Sequence, residues 1–315
     1  MTGGRRMRIR TALLAAVLAT PLALTSAQAA PAPARAAGPA APRAAALTAD
    51  PNCDPTKSVR PSSDESGAGV SRIKARGYLI AGVDQNDYRW GFRDRTTGQL
   101  AGFDIDIVHA LAKAILGDPN KVQYKTIPTA KRIEAIKTDQ VDVIARTMTI
   151  TCQRLDDVAF STVYFQAGQQ VLVPKTAKAK NVDEALKGKT VCVSDGSTAQ
   201  DQLKQNPRGA AAVKPAPGDL DCLVLMQLGQ ADAALTDNAV AVGMAAQDPN
   251  MEVVGPSITS EPYGVAISRK YPDLVARVNQ VLEDYRHGGW QDSYHRWLED
   301  YLGKGAVPPA ANYLP

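Results

Sequence analysis

The sequence predicts an α/β fold of two lobes with a cleft between them, and three observations predict it. Strand-like stretches alternate with amphipathic helices, which argues for parallel sheets covered by helices. The alternation runs to about Phe165 and then restarts at Gln169. Beyond an Ala/Pro-rich N-terminal stretch, about 250 residues remain, enough for two modest domains.

Taken in order, residues 78–85 (YLIAGVDQ) form the first strand. The stretch Phe103–Leu116 spaces Ile107, Ala110, Leu111, Ala114 and Ile115 on one helical face, and residues 121–127 return as a strand. Residues 131–138 make a second helix and residues 141–146 (VDVIAR) a third strand. The second series runs through the strand QQVLVP, a helix at Val182–Leu186, the strand TVCVSD, a helix-like DCLVLMQLGQ and a last strand in ADAALTDN. At EPYGVAIS the chain crosses back, and residues 271–286 and 289–301 form two terminal helices. Two crossings make a hinge, with residues 68–168 and 262–315 as lobe 1 and residues 169–261 as lobe 2.

The N-terminus sets where such lobes work. Arg5, Arg6, Arg8 and Arg10 precede an apolar run at residues 12–24, and Ala27-Gln28-Ala29 supplies small residues for cleavage. This is the pattern of an export signal, residues 1–29. A spanning anchor needs about 20 uninterrupted apolar residues, whereas this run is shorter and is broken by Thr20 and Pro21. From Ala30 to about Pro51 the chain is nearly all Ala, Pro and Arg, too poor in large apolar groups to offset the entropy of ordering. It reads as a disordered tether, continued to residue 67 by an N-terminal extension. The first cysteine, Cys53, follows Asp50-Pro51-Asn52 and does not resemble a lipidation site. The expected location is extracytoplasmic, secreted or otherwise tethered. Of 36 basic and 32 acidic residues, six Arg and one Asp precede residue 52, which leaves 30 against 31. A near-neutral folded part does not support a nucleic-acid partner.

The most specific stretch joins GFDIDIVHALAKAI (102–115) to RIEAIKTDQVDVIARTMTITCQR (132–154) with one strand between. This pairing resembles the first lobe of solute-binding protein family 3, the capture component of polar amino-acid ABC importers, and the likeness extends from about Ile73 to Tyr301. It implies a two-lobed periplasmic-binding-protein-like fold of type II. It also implies an amino acid bound in the cleft, hinge closure, a membrane permease as partner and a monomeric protein without cofactor or metal. GVDQNDYRWGFRDRTTGQLAGFDIDI, RTMTITC and FSTVYFQAGQ look most like the actinobacterial glutamate-binding branch.

Polar ligands of such folds bind outside the carboxyl ends of the strands. By resemblance the TMTITxxR pattern holds the α-carboxylate, with Thr147 and Thr149 donating and Arg154 forming a bidentate fork; the plainer alternative pairs Arg154 with Asp156 or Asp157. Ser197 and Thr198, at a strand end leading into a helix, complete that cage from lobe 2 by resemblance, where amides at a helix start favour an anion. An ordinary N-cap is compatible with this. Asp237 falls where the family binds the α-ammonium; otherwise it caps the helix that follows.

Selectivity rests on the basic residues near the cleft: Lys131, Arg132 and Arg146. Arg132 matches a position where glutamate- and aspartate-binding relatives carry arginine, and Thr129 stands where binders of basic amino acids often carry an aromatic platform. Arg89 is a further candidate for the distal carboxylate, with Tyr88 and Trp90 as walls. The expected order is glutamate, aspartate, then glutamine or asparagine.

Four cysteines in an exported chain favour disulfides, and counting alone leaves three pairings. The resemblance pairs Cys192 with Cys222 inside lobe 2, which leaves Cys53 with Cys152. No CxxC or neighbouring histidine supports a metal. Asp104 and Asp106 read as structural acids, Asp104 favouring the dipole at a helix start. His109, His287 and His295 lie on predicted helices, and no GxSxG, P-loop or HExxH motif occurs. A binding protein is therefore expected, ahead of a ligand-sensing ectodomain or a dehydratase of the same fold.

Overall fold

The computed structural model of the protein describes residues 53–315. The predicted export signal, and the predicted tether as far as residue 52, lie outside the described residues. No helix among the described residues is long and apolar enough to cross a membrane.

Two five-stranded sheets organise the chain. The first orders its strands Val122–Thr126, Leu79–Val83, Val143–Ile144, Ala266–Ile267 and Ala159–Phe160. Its first three are parallel, with Leu79 opposite Val122 and Ala81 opposite Val143, and Ala266–Ile267 runs antiparallel to both neighbours. The second sheet orders Ala212–Ala216, Thr190–Ser194, Ala233–Asp237, Gln169–Pro174 and Met251–Val254. Here too the strands joined by helices are parallel, while Gln169–Pro174 is antiparallel to both neighbours.

The purely parallel sheets expected from the strand and helix alternation are thus mixed, and the crossings explain why. Between the sheets the chain passes once through Phe165–Ala167 and returns through Glu261–Tyr263, which pair antiparallel. A strand that enters its sheet from this hinge starts where the helix-connected strands end, so it must run the opposite way. Gln169 accordingly stands opposite Asp237, at the carboxyl end of its neighbour.

The helix Phe103–Leu116 begins at Gly102, whose positive φ of 127° lets the backbone pass the Trp90 carbonyl where any Cβ would collide. It buries Phe103, Ile107, Val108 and Leu111 against Trp290, Tyr294 and the helix Pro272–Arg286 in a core of side chains fully withdrawn from water. Ala239, from the helix Asn238–Gln247 that packs on the second sheet, belongs to this same core. The second sheet has cores of its own on its two faces, one around Val171, Leu186, Val191 and Leu235 and one around Leu172, Cys192, Cys222 and Met244.

Elements the periodicity did not predict include the helix Ala68–Arg76, a ribbon of three short strands, Asn86–Asp87, Gly91–Arg93 and Leu100–Ala101, and the edge strands Ala212–Ala216 and Met251–Val254 of the second sheet. The strand expected over residues 141–146 shortens to Val143–Ile144, and the last helix splits into Gly289–Trp297 and Glu299–Leu302.

Both disulfides join the expected cysteines, Cys53 with Cys152 and Cys192 with Cys222. Residues 53–67 are not part of a loose tether. Ser58 pairs with Tyr313, its hydroxyl donates to the Phe160 carbonyl (2.8 Å), and Asn279 donates to Ser58 Oγ (2.8 Å) and the Val59 carbonyl (2.7 Å). The two ends of the described chain are thereby laid side by side over the helix Pro272–Arg286.

Candidate functional site

The facing strand ends enclose a cavity of about 30 Å³. From the side of the first sheet it is lined by Thr129, Arg132, Arg146, Thr147, Thr149 and Arg154, and from the second by Ser197, Thr198, Asp219, Thr236, Asp237 and Val240. Of the twelve residues named from the sequence as contacts, selectivity residues or walls, eight line this cavity, and Lys131, Arg89, Tyr88 and Trp90 do not.

Thr147 and Thr149 follow the short strand Val143–Ile144. Thr147 has a φ of +41°, a strained value for a β-branched residue. Its backbone N–H donates to Asp104 Oδ2 (2.9 Å), while Tyr164 Oη donates to Asp104 Oδ1 (2.8 Å). Burial pushes the Asp104 carboxyl up to about 7, against the pull of those two bonds. Asp104 therefore does more than favour a helix dipole: it fixes the turn that presents the two threonines.

Arg154 sits in the one-turn helix Cys152–Leu155, capped by Thr151, whose hydroxyl accepts from the Arg154 N–H (3.1 Å). Its Nη1 donates to the Thr149 carbonyl (2.7 Å) and its Nη2 to the Gly196 carbonyl on the other sheet (3.2 Å). The alternative partners are engaged elsewhere or absent: Asp157 pairs with Lys137, and Asp156 forms no ion pair among the described residues. Burial lowers the guanidinium's pKa, and Glu261 and Asp237 counter that loss.

Gly196 (φ +74°) carries one of the close approaches of the two sides. A Cβ there would lie 2.8 Å from Ala130 Cα, so only glycine permits the contact. Ser197 is the N-cap of the helix Thr198–Gln205, its hydroxyl accepting from the Gln200 N–H (3.1 Å). The Thr198 hydroxyl donates to Glu261 Oε2 (2.9 Å), so its proton is committed and its backbone N–H is the group left for an anion.

Asp237 ends the strand Ala233–Asp237 and makes no side-chain cap bond to the helix that follows. It instead accepts from Tyr263 Oη (2.6 Å). Burial, with Glu261 adding repulsion, pushes its carboxyl up to about 8, although the Tyr263 bond works the other way.

The basic residues assigned to selectivity separate. Arg132 is buried; its Nε donates to the Thr129 carbonyl (3.0 Å) and its Nη1 to the Arg146 carbonyl (3.3 Å), and it forms no ion pair among the described residues. Burial, then Arg154 and Arg146, hold it well below the ordinary arginine range. Arg146 is already paired, to Asp84, whose other oxygen accepts from the Gln85 and Asn86 N–H groups (2.7 Å each). Lys131 faces solvent and pairs with Glu134 (2.8 Å).

Arg89 and Tyr88 are not brought to the cavity. They line a separate groove of about 590 Å³ with Arg93, Arg95, Gln247 and Trp297. The Arg89 guanidinium lies between the Tyr88 and Tyr301 rings, 4.9 and 5.1 Å from their centroids, and donates to Tyr301 Oη (3.2 Å). The reason is local: φ is +74° at Arg89, and the turn it makes aims the side chain at the C-terminal helices. Trp90 lies beneath the site rather than along it, with Nε1 donating to the Ala239 carbonyl (3.0 Å).

Sequence reasoning missed Asp84, Asp219, Thr236 and Glu261. Glu261 is buried in the hinge strand and accepts from Thr198, from Gln169 Nε2 (3.0 Å) and from Thr259 Oγ1 (2.7 Å). Its only sequence signal was a carboxylate inside an otherwise apolar crossing.

Bacterial extracellular solute-binding proteins, family 3, match residues 79–300 of the chain. It is 39% identical over 234 residues to the glutamine-binding protein of Geobacillus stearothermophilus, covering 71% of this chain and 88% of that protein. To the ABC transporter glutamine-binding protein GlnH of Bacillus subtilis (strain 168) it is 34% identical over 232 residues, covering 73% of this chain and 85% of that protein. Among solved structures, an ancestral arginine-binding protein bound to glutamine aligns with a TM-score of 0.65 at 35% identity, over 71% of this chain and 98% of that one. Such neighbours share the type II periplasmic-binding-protein fold.

Proposed function

The chain belongs to the bacterial extracellular solute-binding proteins, family 3, and from that premise we propose that it is the exported, extracytoplasmic capture subunit of an ABC importer for an acidic amino acid. Glutamate is placed first, aspartate second, and glutamine or asparagine third. The observation that carries the reading is a pair of opposite charges held on opposite sides of one cavity. Arg154 stands on the first sheet's side and Asp237 on the second's, a guanidinium to take an α-carboxylate and a carboxyl to take an α-ammonium. Burying either charge of a zwitterion without a partner costs several kcal/mol, so both are needed.

Ligand docks on Arg154, Thr147 and Thr149, and closure then adds Ser197, Thr198 and Asp237. The size of this population shift is limited by how much more tightly the ligand is held in the closed form than in the open one. The loaded, closed monomer is the form a membrane permease accepts. Preference for an acidic side chain is supported by Arg132, a buried guanidinium whose described bonds are to carbonyls alone.

The test is calorimetric titration of the purified, disulfide-intact protein, unfolded and refolded to strip bound ligand, with glutamate, aspartate, glutamine, asparagine, lysine and arginine. Tight binding of glutamate without turnover supports the reading. Binding of none of them overturns it and leaves a sensory ectodomain or a dehydratase of this fold to be tested.

A further inference from the structure

We infer that Asp219 is a specificity-determining residue that supplies a hydrogen-bond acceptor beside the Arg132 donor, so that the cleft admits the carboxamide of glutamine or asparagine as well as a carboxylate. The inference deepens the amino-acid reading above and rests on it.

The charges in the cavity sort into two poles that share Asp219. Arg154 and Asp237 act on one another and both feel Glu261, and Asp237 also feels Asp219. Arg146 feels Asp84, Asp87 and Asp219. Arg132 feels members of both groups, Arg154 and Asp237 on one side, Arg146 and Asp219 on the other. If the first pole takes the α-carboxylate and α-ammonium, the end of the ligand side chain meets the second.

At that second pole Asp219 is buried, lines the cavity and opens the helix Asp219–Gln227 behind Gly218. The Thr236 hydroxyl donates to its Oδ1 (2.7 Å). This bond fixes the carboxylate and uses the only hydroxyl proton of Thr236. Among the described residues no bond reaches Oδ2, which is left as an acceptor. Arg146 adds little net charge because Asp84 neutralises it from behind.

The distal group of a ligand therefore meets a donor, Arg132, and an acceptor, Asp219. A carboxamide satisfies both, its oxygen accepting and its NH2 donating. A carboxylate makes the stronger, charge-assisted bond to Arg132 but is repelled by Asp219, so Asp219 narrows the margin that Arg132 gives glutamate and lets the carboxamide in.

The experiment measures Kd for glutamine and glutamate in the wild-type protein and in Asp219→Asn, which keeps the side chain's shape. The expected result is measurable binding of both ligands by the wild type, and an affinity ratio that moves toward glutamate by about tenfold or more in the variant. A ratio unchanged within twofold, or a wild type that takes glutamate and not glutamine, overturns the inference. If Asp219→Asn does not fold, Thr236→Val, which releases the carboxylate from its fixed rotamer, is expected to move the ratio the same way, and an unchanged ratio there overturns it equally. A wild type that binds neither ligand refutes the amino-acid reading itself rather than the role of Asp219.

Discussion

Asp237 carries a pH dependence whose sign follows from its surroundings. Burial and the neighbouring Glu261 and Asp219 raise its carboxyl to about 8, against Arg154 and the Tyr263 bond. An ammonium ligand requires the ionised form, so below that value each binding event must first release a proton. Affinity should rise as pH climbs from 6 to 8, by up to about tenfold per unit, and level off above. Calorimetry in buffers of different ionisation enthalpy should register proton release at pH 7, and Asp237→Asn should weaken binding and flatten the profile. Arg132 yields a selectivity prediction: Arg132→Ala should weaken glutamate at least about tenfold more than glutamine, and equal losses would show that it does not read a distal carboxylate. Arg154, Thr147 and Thr149 were legible because one contiguous motif holds them at a strand end. The Asp84 to Arg146 pair was not, because it joins residues 62 positions apart. Nor was the fate of Arg89, which a single positive φ decides and no side-chain pattern announces.

Long helices and buried strands were readable as elements because their apolar spacing is set by burial, as at the helix Phe103–Leu116 and the strand Gln169–Pro174. The ribbon over residues 86–101 was not, since its two- and three-residue strands are too short for alternation to register. The strap formed by residues 53–67 is the other element the composition concealed, being poor in large apolar residues and held by polar bonds. Cys53–Cys152 closes a sequence separation of 99 residues and ties the strap to the turn of helix that bears Arg154. Replacing both cysteines by serine should lower the free energy of unfolding by about 4–5 kcal/mol in the loop-entropy picture. Denaturant midpoints for the oxidised protein and the double variant measure it. Because Cys152 opens the helix that ends beside Arg154, ligand affinity should fall in the same variant, whereas an unchanged affinity would make the strap a purely stabilising element.

The two sides of the molecule touch at glycines, which show how closely they approach. Gly243 lies inside the helix Asn238–Gln247, and a Cβ there would stand 2.8 Å from the carbonyl oxygen of Tyr88, which belongs to the ribbon of the other side. A backbone oxygen cannot be displaced as a flexible side chain can, so Gly243→Ala should hold the two sides apart. Its effect on the helix has the opposite sign, because alanine favours a helix interior by about 1 kcal/mol over glycine. One substitution therefore separates folding from closing. The free Gly243→Ala protein should melt at the wild-type temperature or a few degrees above it, while its affinity for every ligand falls by a common factor and the order among ligands stays the same. Small-angle scattering should show a smaller decrease in radius of gyration on adding ligand than the wild type shows. Unaltered affinity would mean that the contact between Tyr88 and Gly243 is not made in the ligand-bound form. A loss confined to one ligand would place Gly243 in recognition rather than in the hinge equilibrium, because a shift in the closed population divides every affinity by the same fraction.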